Sequence, residues 1–149
     1  MPTRTRSSLI LALIIVVSAI GLSACNGSHD MGLADESMLP EFVQSAPSAV
    51  QEAYLFAIAH PEDLSHQPCY CGCGSMGHES NLNCFIEDIA PGGTITFDTH
   101  AIGCGICVDI AQDTMRLTAE GKSPAEIRQF VDGRYGGFGP PTPTPLPPE

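Results

Sequence analysis

Six consecutive residues constrain this chain more than any others: Pro68-Cys69-Tyr70-Cys71-Gly72-Cys73. Cysteine at every second position puts three sulfurs on one side of an extended segment. Gly72 and Gly74 also allow the backbone to curl and aim the thiols at one point. A ring closed between cysteines two apart is strained, so these three either pair with distant cysteines or bind something. His78 and Cys84 follow within eleven residues of Cys73. A second cluster reads His100-Ala-Ile-Gly-Cys104-Gly-Ile-Cys107. Positions i, i+4 and i+7 share one helix face. A helix beginning near Gly103 instead places both cysteines in its first turn, where free N–H groups and the helix dipole favour thiolate. Gly103 and Gly105 favour that second arrangement. Both make either a pair of metal ligands or a reactive dithiol.

Cys69, Cys71, Cys73, Cys84, Cys104 and Cys107 with His78 and His100 amount to eight soft or borderline ligands. Eight fills two tetrahedral sites, as zinc prefers. Copper(I) accepts two or three thiolates and shares them in clusters. The expected cofactor is therefore zinc or copper(I). Met76 is a candidate thioether, and His60 and His66 read as surface histidines. Two other readings stay open. Six cysteines in a small exported domain often form three disulfides, although bunched cysteines staple distant loops poorly. Cys104 and Cys107 alone would make a redox dithiol.

The chain has 149 residues, enough for one domain. Its 6 Lys+Arg against 17 Asp+Glu, a net charge of −11, exclude a nucleic-acid binder, which needs a basic surface. The same balance disfavours docking on anionic headgroups. Arg4 and Arg6 precede an apolar stretch, Leu9 to Leu22, too short to read as a spanning helix. It ends in Leu22-Ser23-Ala24-Cys25, which resembles a bacterial lipobox. The resemblance implies removal of residues 1–24, diacylation of Cys25, and an anchor on the extracytoplasmic face of a bacterial cell membrane. The remaining chain would keep 4 Lys+Arg against 17 acids, a formal charge of −13, in a compartment where disulfides can persist.

Residues 25–46 read as a polar, flexible tether that holds His29. Residues 140–149 contain six prolines and read as an extended, disordered tail from 139 onward. The folded unit is then 47–138, small enough to need metal or disulfide support. Three helices are legible. The first starts at a capping box of Ser48 and Gln51, carries Val50, Tyr54, Ala57 and Ile58, and stops at Pro61. The second spans Gly103 to Thr118, with Val108, Ala111 and Met115 on one face. The third starts at Ser123-Pro124 with Glu126 closing a box, carries Ile127, Phe130 and Val131, and ends at Gly136-Gly137. Residues 64–99 read as loop-rich, with Ile95 and Phe97 alternating as a short strand. The fold class is mostly α: a small Cys-rich helical domain with a loop-rich metal or disulfide region and at most a short strand pair.

Hydrolytic chemistry has little support. Ser65-His66 lacks an acid partner, Glu87 and Asp88 are adjacent only in sequence, and no phosphate loop is present. An enzyme is less expected than a binding protein; if there is one, it is a thiol–disulfide oxidoreductase using Cys104 and Cys107.

Over most of residues 50–137 the chain resembles the PCYCGC-motif bacterial lipoproteins. The resemblance runs through Pro68 to Cys73, Gly77-His78, Cys84-Phe85, His100-Ala101, Cys104 to Cys107, Glu120-Gly121, Glu126-Ile127 and Tyr135-Gly136. It implies metal binding without an assigned activity. Residues 104–136 are also similar to the thiol-reductase subunit of cytochrome c maturation, through Cys104-x-x-Cys107, Gly121-Lys122-Ser123, Glu126-Ile127 and Arg134-Tyr135-Gly136. That resemblance implies a redox role for Cys104 and Cys107. The expected partners are the membrane, through Cys25, and a membrane metalloprotein or a redox partner.

Overall fold

The computed structural model describes residues 32–148. The expected signal segment, the expected lipid attachment at Cys25, and His29 lie outside the described residues. The architecture is mostly helical, with one two-stranded antiparallel sheet.

Helix α1 (Ser48–Ala59) is the centre of the core. It buries Val50, Ala53, Tyr54, Leu55, Phe56 and Ala57, more than one stripe, as a helix surrounded by other elements must. The expected capping box does not form. Pro47 occupies the cap position, and Gln51 Nε2 instead donates back to the carbonyls of Gln44 and Ala46 at 3.0 and 2.9 Å. Pro61 ends α1 as expected, because it has no N–H to continue the ladder. It then serves as the first residue of a short α2 (Pro61–Ser65).

The loop-rich region contains more structure than its sequence suggests. Two 3₁₀ turns, Cys73–Met76 and Asn81–Cys84, lead into strands β1 (Ile86–Ile89) and β2 (Ile95–Phe97). The strands pair antiparallel with an irregularity between Ile86 and Asp88. A one-turn α3 (His100–Gly103) follows, then α4 (Gly105–Ala119) with Cys104 as its N-cap residue. The expected second helix is thus broken at Cys104, where the backbone is extended. Helix α5 (Pro124–Tyr135) has both halves of the expected capping box between Ser123 and Glu126. Helices α1 and α5 both pack on α4. Among the described residues, no helix is long and apolar enough to cross a membrane.

Both ends of the domain depart from expectation. The described part of the stretch read as a tether, residues 32–46, packs on the core: Leu39 and Val43 are buried, and the Ala34 N–H donates to the Leu55 carbonyl. Leu39, Val43 and Ala46 are apolar at helical spacing and cover one side of α1 and its neighbours. The Pro-rich segment read as disordered lies back along the domain. Cys69 N–H donates to Thr142 Oγ1 at 2.8 Å, and Thr142 N–H donates to the Cys69 carbonyl at 3.0 Å. Thr144 Oγ1 donates to the Glu79 carbonyl, and Arg128 donates to the Pro145 carbonyl. Proline cannot donate, but threonine can, and the two threonines between prolines supply the donors that dock the strap.

Candidate metal centre

Three separate elements bring the cysteines together. The Pro68–Cys73 loop contributes Cys69, Cys71 and Cys73; the second 3₁₀ turn ends in Cys84; Cys104 caps α4 and Cys107 lies in its first turn. Gly72, at φ +88°, turns the first loop back on itself, a conformation costly for any residue with a Cβ. Gly139 allows the strap to close over it, since a Cβ there would sit 2.8 Å from the Tyr70 carbonyl oxygen. Tyr70 itself points away, donating from its hydroxyl to Asp132 Oδ1 on α5.

All six thiols and both imidazoles singled out by spacing meet in one cluster. Cys107 Sγ lies 3.2 Å from Cys69, 3.6 Å from Cys71, 3.1 Å from Cys84 and 3.2 Å from Cys104. Cys84 Sγ is 3.8 Å from Cys69 and 3.9 Å from Cys73, and Cys69 is 3.4 Å from Cys71. These separations are far beyond the ~2.05 Å of a disulfide, and all six cysteines are free thiols. They bracket the ~3.8 Å between two thiolates on one tetrahedral zinc. His100 Nε2 is 3.5 Å from Cys71 Sγ, and His78 Nδ1 is 3.5 Å from Cys84 Sγ. That spacing matches the ~3.5 Å between a sulfur and a nitrogen sharing one ion.

The ligand atoms fall into four overlapping groups. Cys71, His100, Cys104 and Cys107 place one ligand atom each within 4.8 Å of one another, a complete tetrahedral set. Cys69, Cys84 and Cys107 form a second such group, wholly buried. Cys107 belongs to both. Cys69, Cys71 and Cys73 form a third group and Cys73, Cys84 and His100 a fourth, so the ligand atoms make one interlocked cluster in place of two separate sets of four.

Electrostatics favour cation binding. Arg116, Lys122, Arg128 and Arg134 all pair with acids on α4 and α5, away from the thiols. With no Lys or Arg against them among the described residues, most thiols hold their protons. Burial, then the neighbouring Cys69, pushes Cys71 and Cys73 up. Hydrogen bonds to Cys69 and Cys84, with burial, push Cys107 up. Cys84 also rises: the Cys107 thiol favours its thiolate, but Cys69 and burial outweigh that. Cys69, receiving the S–H groups of Cys107 and Cys84, is driven far below the ordinary thiol value. A bound cation would displace those protons.

Three residues around the centre carry no signal in the cysteine pattern. Asp98 touches both histidines, one by its backbone and one by its ring: its Oδ1 accepts the His100 backbone N–H at 2.6 Å and its Oδ2 lies 3.6 Å from His78 Nε2. Carboxylates in this position orient ligating histidines. The Asp98-Thr-His100 spacing, an acid just before a helix start, was the available clue. Asn81 is fully buried and donates to the Cys107 carbonyl. Thr142 holds Cys69 from the strap. His60 stacks on Phe56 and faces the Gly32 carbonyl, and His66 faces Glu62, so these two serve local packing.

The fold and cluster define a small helical protein built around a buried Cys/His centre that can hold metal. The chain belongs to the family described as proteins of unknown function with a PCYCGC motif, whose model matches residues 17–147. No curated protein and no solved structure matches it.

Proposed function

We propose that this protein holds more than one soft cation, copper(I) in preference to zinc, in a thiolate cluster bridged by Cys107, and exchanges it with a partner. One observation carries the reading. Cys107 Sγ has Cys69, Cys71, Cys84 and Cys104 all in reach, while a single tetrahedral ion has room for only about three ligands beside it. A sulfur so placed is a bridge, and bridging thiolates suit copper(I), whose low coordination number lets a few sulfurs serve several ions. A further feature supports exchange over a closed structural site: Cys71, His100 and Cys104 are only half-buried, leaving an edge for ligand exchange.

With Cys25 diacylated, the domain would work tethered to the outer face of a bacterial cell membrane, within reach of a membrane metalloprotein. The test is elemental analysis and a thiol count on the purified chain, with X-ray absorption at the metal edge. The expected result is more than one copper per chain, sulfur-rich coordination and a metal–metal vector. A single zinc whose removal unfolds the domain would refute exchange, and the reading also fails if no metal survives a competing chelator.

The dithiol reading has one observation in its favour, the 3.2 Å between Cys104 and Cys107 at the start of α4. Against it, Cys107 Sγ lies as near to Cys69 and Cys84 as to Cys104, so the two do not stand apart as a pair.

A further inference from the structure

The cluster is not covered equally on all sides. Cys71, His100 and Cys104, three members of the four-ligand group, are half-buried, whereas Cys69, Cys73, Cys84 and Cys107 are buried. Next to the half-buried ligands in the chain, Gly72, Ile102, Gly103 and Gly105 are all exposed. Neither Tyr70 to Gly74 nor Thr99 to Ile106 contains an acid, a lysine or an arginine, in a chain of net charge −11. We propose that this neutral collar is the docking face for the protein that exchanges copper(I) with the cluster, and that Cys104 is the ligand swapped there for a thiol on a projecting loop of that partner. The proposal rests on the reading of the cluster as an exchangeable copper(I) centre.

The two glycines beside Cys104 point to an approach from outside. Gly103 ends α3 and Gly105 opens α4, positions where glycine weakens a helix. Neither has a positive φ, and a Cβ on either would meet nothing within 4 Å. Backbone conformation and internal packing therefore leave both positions free for a larger residue. Gly92, between the two strands, has the same freedom, but Gly103 and Gly105 flank a half-buried ligand, and there the missing side chains keep the way to its sulfur open. Ile102, 42% exposed, adds apolar area. Apolar contact with few charges is the composition of the buried centre of a protein interface. A small thiol needs no such face, whereas a loop carried by a folded partner must bring its backbone against Gly103 and Gly105 before its thiol reaches the ion.

In the exchange, the partner's thiol sulfur adds to the copper(I) bound by Cys104. Its proton passes to the Cys104 sulfur as the copper–sulfur bond there breaks. One copper–sulfur bond forms and one breaks, one S–H bond breaks and one forms, and no electron is transferred. Copper(I) suits this step because two or three soft ligands satisfy it.

The experiment loads the full chain with copper(I) and follows transfer by stopped flow to two acceptors: dithiothreitol, a small dithiol, and reduced metallothionein, a thiol-rich protein. One variant is G103V with G105V, which narrows the collar; the other is I102E, which places a charge in it. Each should hold the native amount of copper and deliver it to dithiothreitol at the native rate. Each should deliver it to metallothionein at least about ten-fold more slowly, since a clash or an unpaired charge penalises docking and not the entry of a small molecule. Native rates to both acceptors overturn the docking face and leave the cluster standing. Slowing toward both acceptors also overturns it, because the substitutions then act on the cluster itself. If the native chain takes up no copper(I), the cluster reading falls and the docking face falls with it.

Discussion

Replacing Thr142 by valine tests whether the Pro-rich strap is part of the centre. The side chain is 5% exposed, and its hydroxyl accepts the N–H of Cys69, a residue that is 0% exposed. Valine keeps the shape and removes the acceptor, so the Cys69 N–H is left buried without a partner. An orphaned buried donor costs about 1–3 kcal/mol. The hydroxyl's 2.8 Å contact with Thr144 is lost as well, which pushes the cost toward the upper half. For a domain of this size that is a fall in Tm of about 3–12 °C. The assay is thermal unfolding by circular dichroism with chelator present, so that metal does not mask the loss. A chain ending at Gly139 should lose at least as much, since it also gives up the Thr144 and Arg128 contacts. If both variants melt within about 1 °C of the native chain, the strap does not hold Cys69 and the argument is wrong.

Three other outcomes are expected. Asp98→Asn should weaken metal affinity about 10–100-fold while leaving stoichiometry unchanged, measured by chelator competition; unchanged affinity would show that Asp98 does not orient the histidines. Metal loading near pH 7 should release on the order of four protons, from Cys71, Cys73, Cys84 and Cys107, whose thiols are pushed up; a proton-neutral titration would contradict protonated thiols. At alkaline pH, all three tyrosines hold their protons more tightly in the folded state than their ordinary value of 10.0, with Tyr135 pushed up to about 12 by burial and its hydrogen bond to Asp113. A raised folded value stabilises fully below about pH 10, and that stability is lost as pH climbs from 10 toward 12. Phenolate absorbance should therefore appear together with unfolding above pH 10; a normal tyrosine titration in a still-folded chain would contradict it.

Some of this architecture was legible because the determinants are local. The Ser123-Pro124-x-Glu126 start of α5 depends on backbone groups within one turn, and it formed as read. Pro61 ended α1 for an equally local reason. Ser48 did not cap α1, because Pro47 took the cap position and Gln51 found carbonyls upstream. Leu39 and Val43 looked like tether because a few apolar residues in a polar stretch gain nothing until α1 offers a surface. Thr142 and Thr144 looked like disorder because their partners, Cys69 and Glu79, lie far away in sequence.

Cysteine and histidine spacing alone singled out eight side chains as candidates, and left open whether the alternating thiols bind a common partner or pair with distant cysteines. That they meet in one cluster was decided only in three dimensions. The loop of Cys69–Cys73, the turn ending in Cys84 and the first turn of α4 converge on Cys107, and that closeness is a property of the convergence, not of any segment. The same holds for Asp98, which a hairpin places against His78 and His100 together. Local sequence specifies ligand type and local turns; which ligands share an ion depends on long-range packing, because chain segments distant in sequence supply the coordinating atoms.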